Sequence, residues 1–407
     1  MPAVEIRDGI FWIGVNDRTT DLFEGLWPIT PGGVSYNSYL VRGERTAVID
    51  LSKEIKVDEF LEQVAGVADL GSLDYIVINH MEPDHSGLLR TLLRIAPQVT
   101  ILGSEKTVAL LDSFYGVTKN VRAVADGETL ALGEHRLRFL STPFVHWPET
   151  IMTYEEVHRV LFSCDAFGGY GALRGGLFDD ECPDPAFYER EALRYYANIV
   201  AKFSPMVLRA IDKAAGIPVD VIAPSHGLIW RRDPGRIVEL YRRWAGYAKG
   251  PGEPGVTLVY ASMYGNTEKM MNAVAQGVSA EGLPLEIFDA TRTHVSYILP
   301  SLWTRSGVIV GAPTYEAGLF PPMAGVLDMA RRKAVRGRKV ARFGSYGWSG
   351  GAQRELDKLF TDLRWEQVLE PFEFVGAPSE ADLKRGEAFG RAFARALLAA
   401  AGGAREG

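Results

Sequence analysis

Four ligand-type side chains fall within six residues of the run His80-Met81-Glu82-Pro83-Asp84-His85-Ser86-Gly87. Two imidazoles and two carboxylates this close would repel or desolvate one another if buried without a cation. The run follows the apolar stretch 75–79, which reads as a buried strand. The cluster therefore opens a loop at a strand end, where metal ligands and catalytic residues concentrate. Three more ligand types recur in the same setting: His146 in Phe144-Val145-His146-Trp147-Pro148, Asp165 after Val160-Leu161-Phe162-Ser163-Cys164, and His226 after Val221-Ile222-Ala223-Pro224-Ser225. Singly, each reads as a satisfied histidine or a capping aspartate. Together, His80, Glu82, Asp84, His85, His146, Asp165 and His226 are enough for two metals with a shared carboxylate. Met81 and Pro83 offer no competing ligand.

A second set of chemistry-bearing residues lies downstream. The strand-like Val256–Tyr260 runs into Ser262-Met263-Tyr264-Gly265-Asn266-Thr267 and then a helix over 268–280. Hydroxyls and backbone N–H groups at a helix start suit a phosphate. The lysine of a nucleotide-triphosphate loop and the G-x-G-x-x-G of a dinucleotide site are both missing. A monophosphate held by neutral donors remains. Two further loops leave parallel strands at the same sheet edge: Pro313-Thr314-Tyr315-Glu316-Ala317-Gly318 and Ser345-Tyr346-Gly347-Trp348-Ser349-Gly350. Both are aromatic and glycine-containing, which suits a flat ring. All three loops in order point to flavin mononucleotide (FMN).

The elements that must position these residues fall into two groups. Before a Pro/Gly-rich break at 248–255, short strands dominate, near 10–15, 36–41, 46–50, 75–79, 120–123, 136–140, 150–154, 159–163 and 220–223. Helices intervene near 57–66, 86–96, 105–114, 186–203 and 234–248. After the break, strands at 256–260, 285–288, 308–310, 340–343 and 372–375 alternate with helices, the last near 380–401. Such alternation implies a parallel sheet covered on both faces. The expected class is multi-domain α/β, with domains 1–249 and 255–407 and a small Ala/Gly-rich tail at 399–407. A chain of 407 residues exceeds one ordinary core. Its 47% hydrophobic and 23% charged residues are those of a water-soluble globular protein. A net charge of −7 argues against general nucleic-acid affinity. Two cysteines, Cys164 and Cys182, give no disulfide framework, which fits a reducing cytoplasm. No signal peptide and no membrane-spanning run is evident.

With both motif sets in this order, the chain resembles the flavodiiron proteins over essentially all its length. These fuse a metallo-β-lactamase-like αββα sandwich to a flavodoxin-like doubly wound parallel sheet. The resemblance implies two iron ions and an FMN. It implies Asp165 as the bridge, with His80, Glu82 and His146 on one iron and Asp84, His85 and His226 on the other; in some members the histidine equivalent to His85 turns away. It further implies reduction of dioxygen to water or nitric oxide to nitrous oxide, and an external donor, rubredoxin or a reduced deazaflavin. A head-to-tail homodimer, or a dimer of such dimers, is implied to bring one chain's flavin to the other's irons. Zinc hydrolases of the same fold carry histidine where this chain has Glu82, and a carboxylate suits iron that must become ferric. A zinc hydrolase fused to a flavodoxin-type carrier is the alternative, and a carrier with a merely structural metal a third reading.

Several flanking residues acquire roles by the same resemblance. Trp147 packs on the partner's flavin, with simple core packing the equal alternative, and a tyrosine of the Tyr195-Tyr196 pair, with Tyr196 favoured, donates its O–H near the irons. Trp348 lies against the ring. Glu24 stands where some relatives have a pocket histidine, and a surface loop is the plain alternative. His135, His158 and His294 are off-pattern and read as ordinary polar residues. The basic run 331–339 suits steering of an acidic carrier, or is a solvated loop.

Overall fold

The computed structural model describes residues 2–250 and 252–403. Met1, Pro251 of the expected break and the end of the tail, 404–407, lie outside the described residues. Two compact units divide between Ala245 and Gly246.

The first unit is built on two sheets. One has seven strands in the order Val4–Arg7, Ile10–Trp12, Tyr39–Arg42, Thr46–Ile49, Tyr75–Val77, Thr100–Gly103 and Val121–Ala123. Its first four strands pair antiparallel and the remainder parallel. The other has five, in the order Thr129–Ala131, Arg136–Ser141, Ile151–Glu155, Val160–Cys164 and Val221–Pro224. Val41, Ile49, Val77 and Leu102 of the first sheet share one buried cluster with Phe139, Ile151, Phe162 and Val221 of the second. Burying both inner faces against each other satisfies the period-2 apolar pattern of these strands. Helices Val57–Ala65 and Glu105–Tyr115 turn Phe60, Val64 and Leu111 inward. The result is an αββα sandwich.

The second unit is a parallel sheet in the order Leu285–Asp289, Glu253–Tyr260, Arg305–Tyr315, Lys339–Tyr346, with Phe372–Val375 and Glu366–Gln367 both pairing the last of these. Val256–Tyr260 is buried throughout, as a parallel strand covered on both faces must be. Helices Asn266–Ala280 and Glu380–Gly403 supply Met270, Val274, Val278, Phe393 and Ala394 to one core. Leu285–Asp289 and Arg305–Tyr315 flank the first strand on opposite sides, so the chain reverses direction across it. Ligands of such sheets bind at the carboxyl edge of this reversal. None of the helices among the described residues is long and apolar enough to cross a membrane.

Several local expectations differ from the structure. The helix expected over 186–203 is Pro185–Tyr195 followed by a π turn, Tyr196–Val200, and a 3₁₀ turn, Ala201–Phe203. A further helix, Ser204–Ala214, was not anticipated. Pro205 looks like a stop signal but occupies the first turn, where its missing N–H costs nothing. The strand expected over 36–41 is divided into Val34–Tyr36, in a ribbon with Val15–Asp17, and Tyr39–Arg42 in the seven-stranded sheet.

Candidate metal centre and flavin cradle

The ligand run begins where strand Tyr75–Val77 ends, and hydrogen bonds fix it on both sides. Asp50 accepts from the Asn79 N–H at 2.8 Å and from its side-chain amide at 3.0 Å. Thr153 of the second sheet donates to Asn79 Oδ1 at 2.7 Å, which ties the two sheets together beneath the loop. Pro83–Ser86 forms one helical turn, so Asp84 and His85 project from a helix start rather than an irregular loop. The Ser86 hydroxyl donates to Met81 O at 2.8 Å. Gly87 admits no side chain, because a Cβ there would lie 2.5 Å from Pro83 O and 3.0 Å from Glu54 N.

The seven candidate ligands converge into two triads around one carboxylate. Glu82 Oε2 lies 3.2 Å from His80 Nε2 and 3.3 Å from His146 Nε2. Asp84 Oδ2 lies 3.3 Å from both His85 Nε2 and His226 Nε2. Asp165 faces both sets. Its Oδ2 is 3.5 Å from His80 and 3.4 Å from His146, and its Oδ1 is 3.1 Å from His85 and 3.2 Å from His226. His85 therefore points inward. All seven are buried except Glu82, whose side chain is 13% exposed.

Residues of this kind fit metal ions, and the hydrogen bonding says so independently. Both Asp84 carboxylate oxygens, both His85 ring nitrogens, Asp165 Oδ1 and His226 Nε2 are buried without a hydrogen-bond partner among the described residues. Native proteins rarely leave such groups unsatisfied. Cations held by the two triads would satisfy the groups that face inward, His85 through Nε2. Electrostatics carries the same message. Burial pushes the imidazole of His146 down, but bonds to Asp165 and Glu82 overcome it and hold His146 up at about 9. His226 is treated likewise by Asp165 and Asp84 and stands at about 10. The site attracts positive charge.

Outer partners orient the rings. His80 Nδ1–H donates to Glu149 at 2.6 Å, and the same oxygen accepts the Met81 N–H at 3.0 Å. His226 Nδ1–H donates to Ser35 O at 2.7 Å. Each bond aims Nε2 at the centre and fixes the tautomer. The sequence reading missed Glu149, although it lies three residues after His146. Glu24 reaches the mouth of the site. Over a third of the residue is exposed, yet surrounding atoms and the charge of Glu82 raise its carboxyl to about 7, and it accepts from Trp27 Nε1 at 2.9 Å. It is not an ordinary surface-loop residue.

The tyrosine pair divides contrary to expectation. Tyr195 packs 5.6 Å from the His226 ring, and burial followed by the charges of Asp165, Asp84 and Glu82 pushes its hydroxyl well above the usual range. Tyr196, the favoured candidate, packs between Tyr241 and Trp244 with its hydroxyl 2.7 Å from Ser204 Oγ. Neighbours on a helix diverge by about 100°, so only one of the pair can face the centre. Trp147 is half-buried, edge-on to His80 at 4.9 Å. Cys164 is buried, and burial pushes its thiol up, which removes it as a nucleophile.

In the second unit a cavity of about 450 Å³ opens at the carboxyl edge of the sheet. All three expected loops line it, through Ser262, Met263, Tyr264, Asn266, Thr267, Pro313, Thr314, Tyr315, Glu316, Ala317, Ser345, Tyr346, Gly347, Trp348 and Ser349. Gly265, Gly318 and Gly350 are not on its wall. Gly265 takes φ +88° immediately before helix Asn266–Ala280, and its N–H donates to Ser262 Oγ at 3.0 Å. Thr267 and Ser345 hydroxyls meet at 3.0 Å, joining the first and third loops. Gly376, which the sequence reading did not single out, also lines the cavity. Tyr264 and Trp348 are 91% and 95% exposed, so both offer free aromatic faces. Backbone donors at a helix start beside aromatic walls fit a phosphorylated flat ring.

Comparison with known proteins places both units in known families. The family model described as ODP family beta lactamase matches residues 34–227, and the flavodoxin model matches residues 258–390. A nitric oxide reductase of Moorella thermoacetica is 33% identical over 96% of this chain and 98% of its own. The rubredoxin oxygen:oxidoreductase of the anaerobe Desulfovibrio gigas superposes with a TM-score of 0.92 at 32% identity, over 98% of this chain and 99% of that one. The flavodiiron protein of Giardia intestinalis gives 0.92 at 28% identity, over 98% and 97%. A metallo-β-lactamase-like unit with seven converging candidate ligands, joined to a flavodoxin unit and matched end to end by these relatives, belongs to the flavodiiron protein family.

Proposed function

We propose that this chain is an oxidoreductase that reduces dioxygen to water, nitric oxide to nitrous oxide, or both, at two irons, drawing electrons through FMN from an external donor. The observation that carries the reading is the division of Asp165 between two triads, one oxygen to each. When bound, two irons and one flavin supply the four electrons that dioxygen needs, or the two needed to join two nitric oxide molecules. His80, Glu82 and His146 are assigned to one ion, Asp84, His85 and His226 to the other. Names of relatives favour a reductase over the zinc hydrolase alternative.

The protein's own part is placement and proton supply. Glu149 and Ser35 O hold His80 and His226 in the tautomer that presents Nε2. Tyr195, kept protonated by its surroundings, presents an O–H donor beside His226. Glu24, at the mouth, keeps a proton available near neutrality. In the second unit the N–H groups at the start of helix Asn266–Ala280 would hold the FMN phosphate and Trp348 would offer an aromatic face to its ring.

The donor is a rubredoxin or a reduced deazaflavin, and the working unit is a head-to-tail homodimer in a reducing cytoplasm, in which Trp147 meets the partner's flavin. The basic run 331–339 contributes less to docking than its composition suggests. Arg338 is buried and donates to Leu302 O at 3.0 Å, while Arg331 and Arg332 pair with Asp328 and Lys339 with Glu366. Anaerobic stopped-flow of the reduced, iron-loaded protein tests the proposal. Repeated flavin reoxidation by dioxygen with little peroxide, or by nitric oxide with nitrous oxide formed, is expected. Slow reoxidation by both gases overturns it.

A further inference from the structure

Three residues that none of the flavodiiron assignments uses meet at another point of the first unit. His135, Glu155 and His158 bring two imidazoles and one carboxylate within 4.8 Å of one another. We infer that they form a third metal site, for a divalent transition ion of the zinc class.

Geometry carries the inference. His135 Nδ1 lies 3.3 Å and His158 Nδ1 3.5 Å from the two oxygens of Glu155. Ligands about 2.0–2.2 Å from a tetrahedral metal stand about 3.3–3.6 Å apart, since the edge of a tetrahedron is about 1.63 times its centre-to-corner distance. Both contacts have that length, each to a different oxygen, as a chelating Glu155 carboxylate between two imidazoles would present them. The His135 contact is a long hydrogen bond and the His158 contact is none, since about 2.7–3.2 Å is usual. His158 Nδ1 is buried and has no hydrogen-bond partner among the described residues, although 27% of its side chain is exposed. That nitrogen is free to bind a cation that Glu155 and His135 also face.

The carboxylate is already oriented. Glu155 ends strand Ile151–Glu155 and is fully buried. Its Oε2 accepts the His158 N–H at 2.6 Å. Its Oε1 accepts the Val157 N–H at 3.2 Å and, at 3.5 Å, that of Arg136. These bonds hold the hairpin turn that carries His158 and leave the carboxylate facing both imidazoles. His135, also buried, precedes strand Arg136–Ser141, and the two rings lie 5.3 Å apart. Two imidazoles and one carboxylate suit a borderline-soft divalent ion, with a further position open to solvent beside His158. The site is separate from the candidate diiron centre. Glu155 pairs with Val160, the first residue of the strand whose far end leads to Asp165, about 17 Å away at 3.3 Å per residue.

The test is metal stoichiometry, which does not depend on the gas chemistry. Holoprotein with iron and FMN bound is equilibrated with zinc chloride, passed over a desalting column and analysed for both metals. One zinc per chain above the full iron complement is expected. His158→Ala, a substitution at a partly exposed turn, should abolish that equivalent while iron, flavin and melting temperature stay as in the parent. Glu155→Gln should do the same if it folds, and His158→Ala decides if it does not. Zinc gained only in exchange for iron, no zinc retained, or a third equivalent that survives in His158→Ala would each overturn the assignment.

Discussion

Glu149 is the residue whose replacement most directly tests how the metal centre is held. Its Oε1 receives His80 Nδ1–H at 2.6 Å and the Met81 N–H at 3.0 Å, and the side chain is fully buried. Glu149→Gln keeps an acceptor of the same shape and removes the charge that makes His80 a stronger ligand. Loss of such a partner weakens metal binding by about 10–100-fold. At about 1.4 kcal/mol per tenfold, that is about 1.4–2.8 kcal/mol. Glu149→Ala goes further and orphans two buried donors, at about 1–3 kcal/mol each, or about 2–6 kcal/mol in all. For a unit of this size the melting temperature should fall by about 2–4 °C per kcal/mol, hence by about 4–24 °C. Iron retained against graded chelator gives the affinity, and calorimetry the stability. The glutamine variant should lose iron affinity with little change in melting. Parent-like iron affinity in Glu149→Gln would refute the idea that this carboxylate tunes His80.

The two tyrosines should separate cleanly. Tyr195→Phe should slow gas turnover with iron and flavin content intact, whereas Tyr196→Phe should leave turnover alone and cost about 1 kcal/mol of stability through the lost Ser204 contact; the reverse pattern would restore Tyr196 as the donor. Ser262→Ala removes the acceptor of the Gly265 N–H and should weaken FMN binding about tenfold, from about 1.4 kcal/mol of loop order, as read by fluorescence titration of the flavin-free protein. Iron uptake should release protons, because the metal-free site holds His146 up at about 9 and His226 at about 10, so both are charged at pH 7. Iron affinity then rises between pH 6 and 8, while the metal-free fold, favoured by these raised values, loses stability as pH climbs from about 6.5, the unfolded value, through about 9–10. Uptake without proton release in a weakly buffered solution would contradict this.

Much of the fold was legible because its signals are local. The alternation of strands and helices after 255 forces a parallel sheet, and the buried run Val256–Tyr260 has no other use. Short strands before 248 announce a β-rich unit, yet their partition into two sheets depends on pairings such as Tyr75 with Thr100 and Phe162 with Ala223, which no periodicity encodes. The helix Ser204–Ala214 escaped because a proline reads the same whether it stops one helix or starts the next.

Ligand residues are legible for a different reason than their partners are. A metal demands particular side-chain types, so His80, Glu82, Asp84 and His85 stand out wherever they cluster. A hydrogen bond from a ring nitrogen demands only some acceptor, and packing decides which. Glu149 and the carbonyl of Ser35 fill that role here, and one of them is not a side chain at all. The same logic explains His135 and His158. They are 23 residues apart, do not follow strand ends of the expected set, and become a pair only because Glu155 ends a strand opposite the start of the next. Tyr195 and Tyr196 are chemically identical in sequence, and only the helix phase, set by what Tyr241 and Trp244 pack against, distinguishes a donor from a core residue. Chemistry is therefore readable where an ion imposes composition, and unreadable where the fold chooses among equivalents.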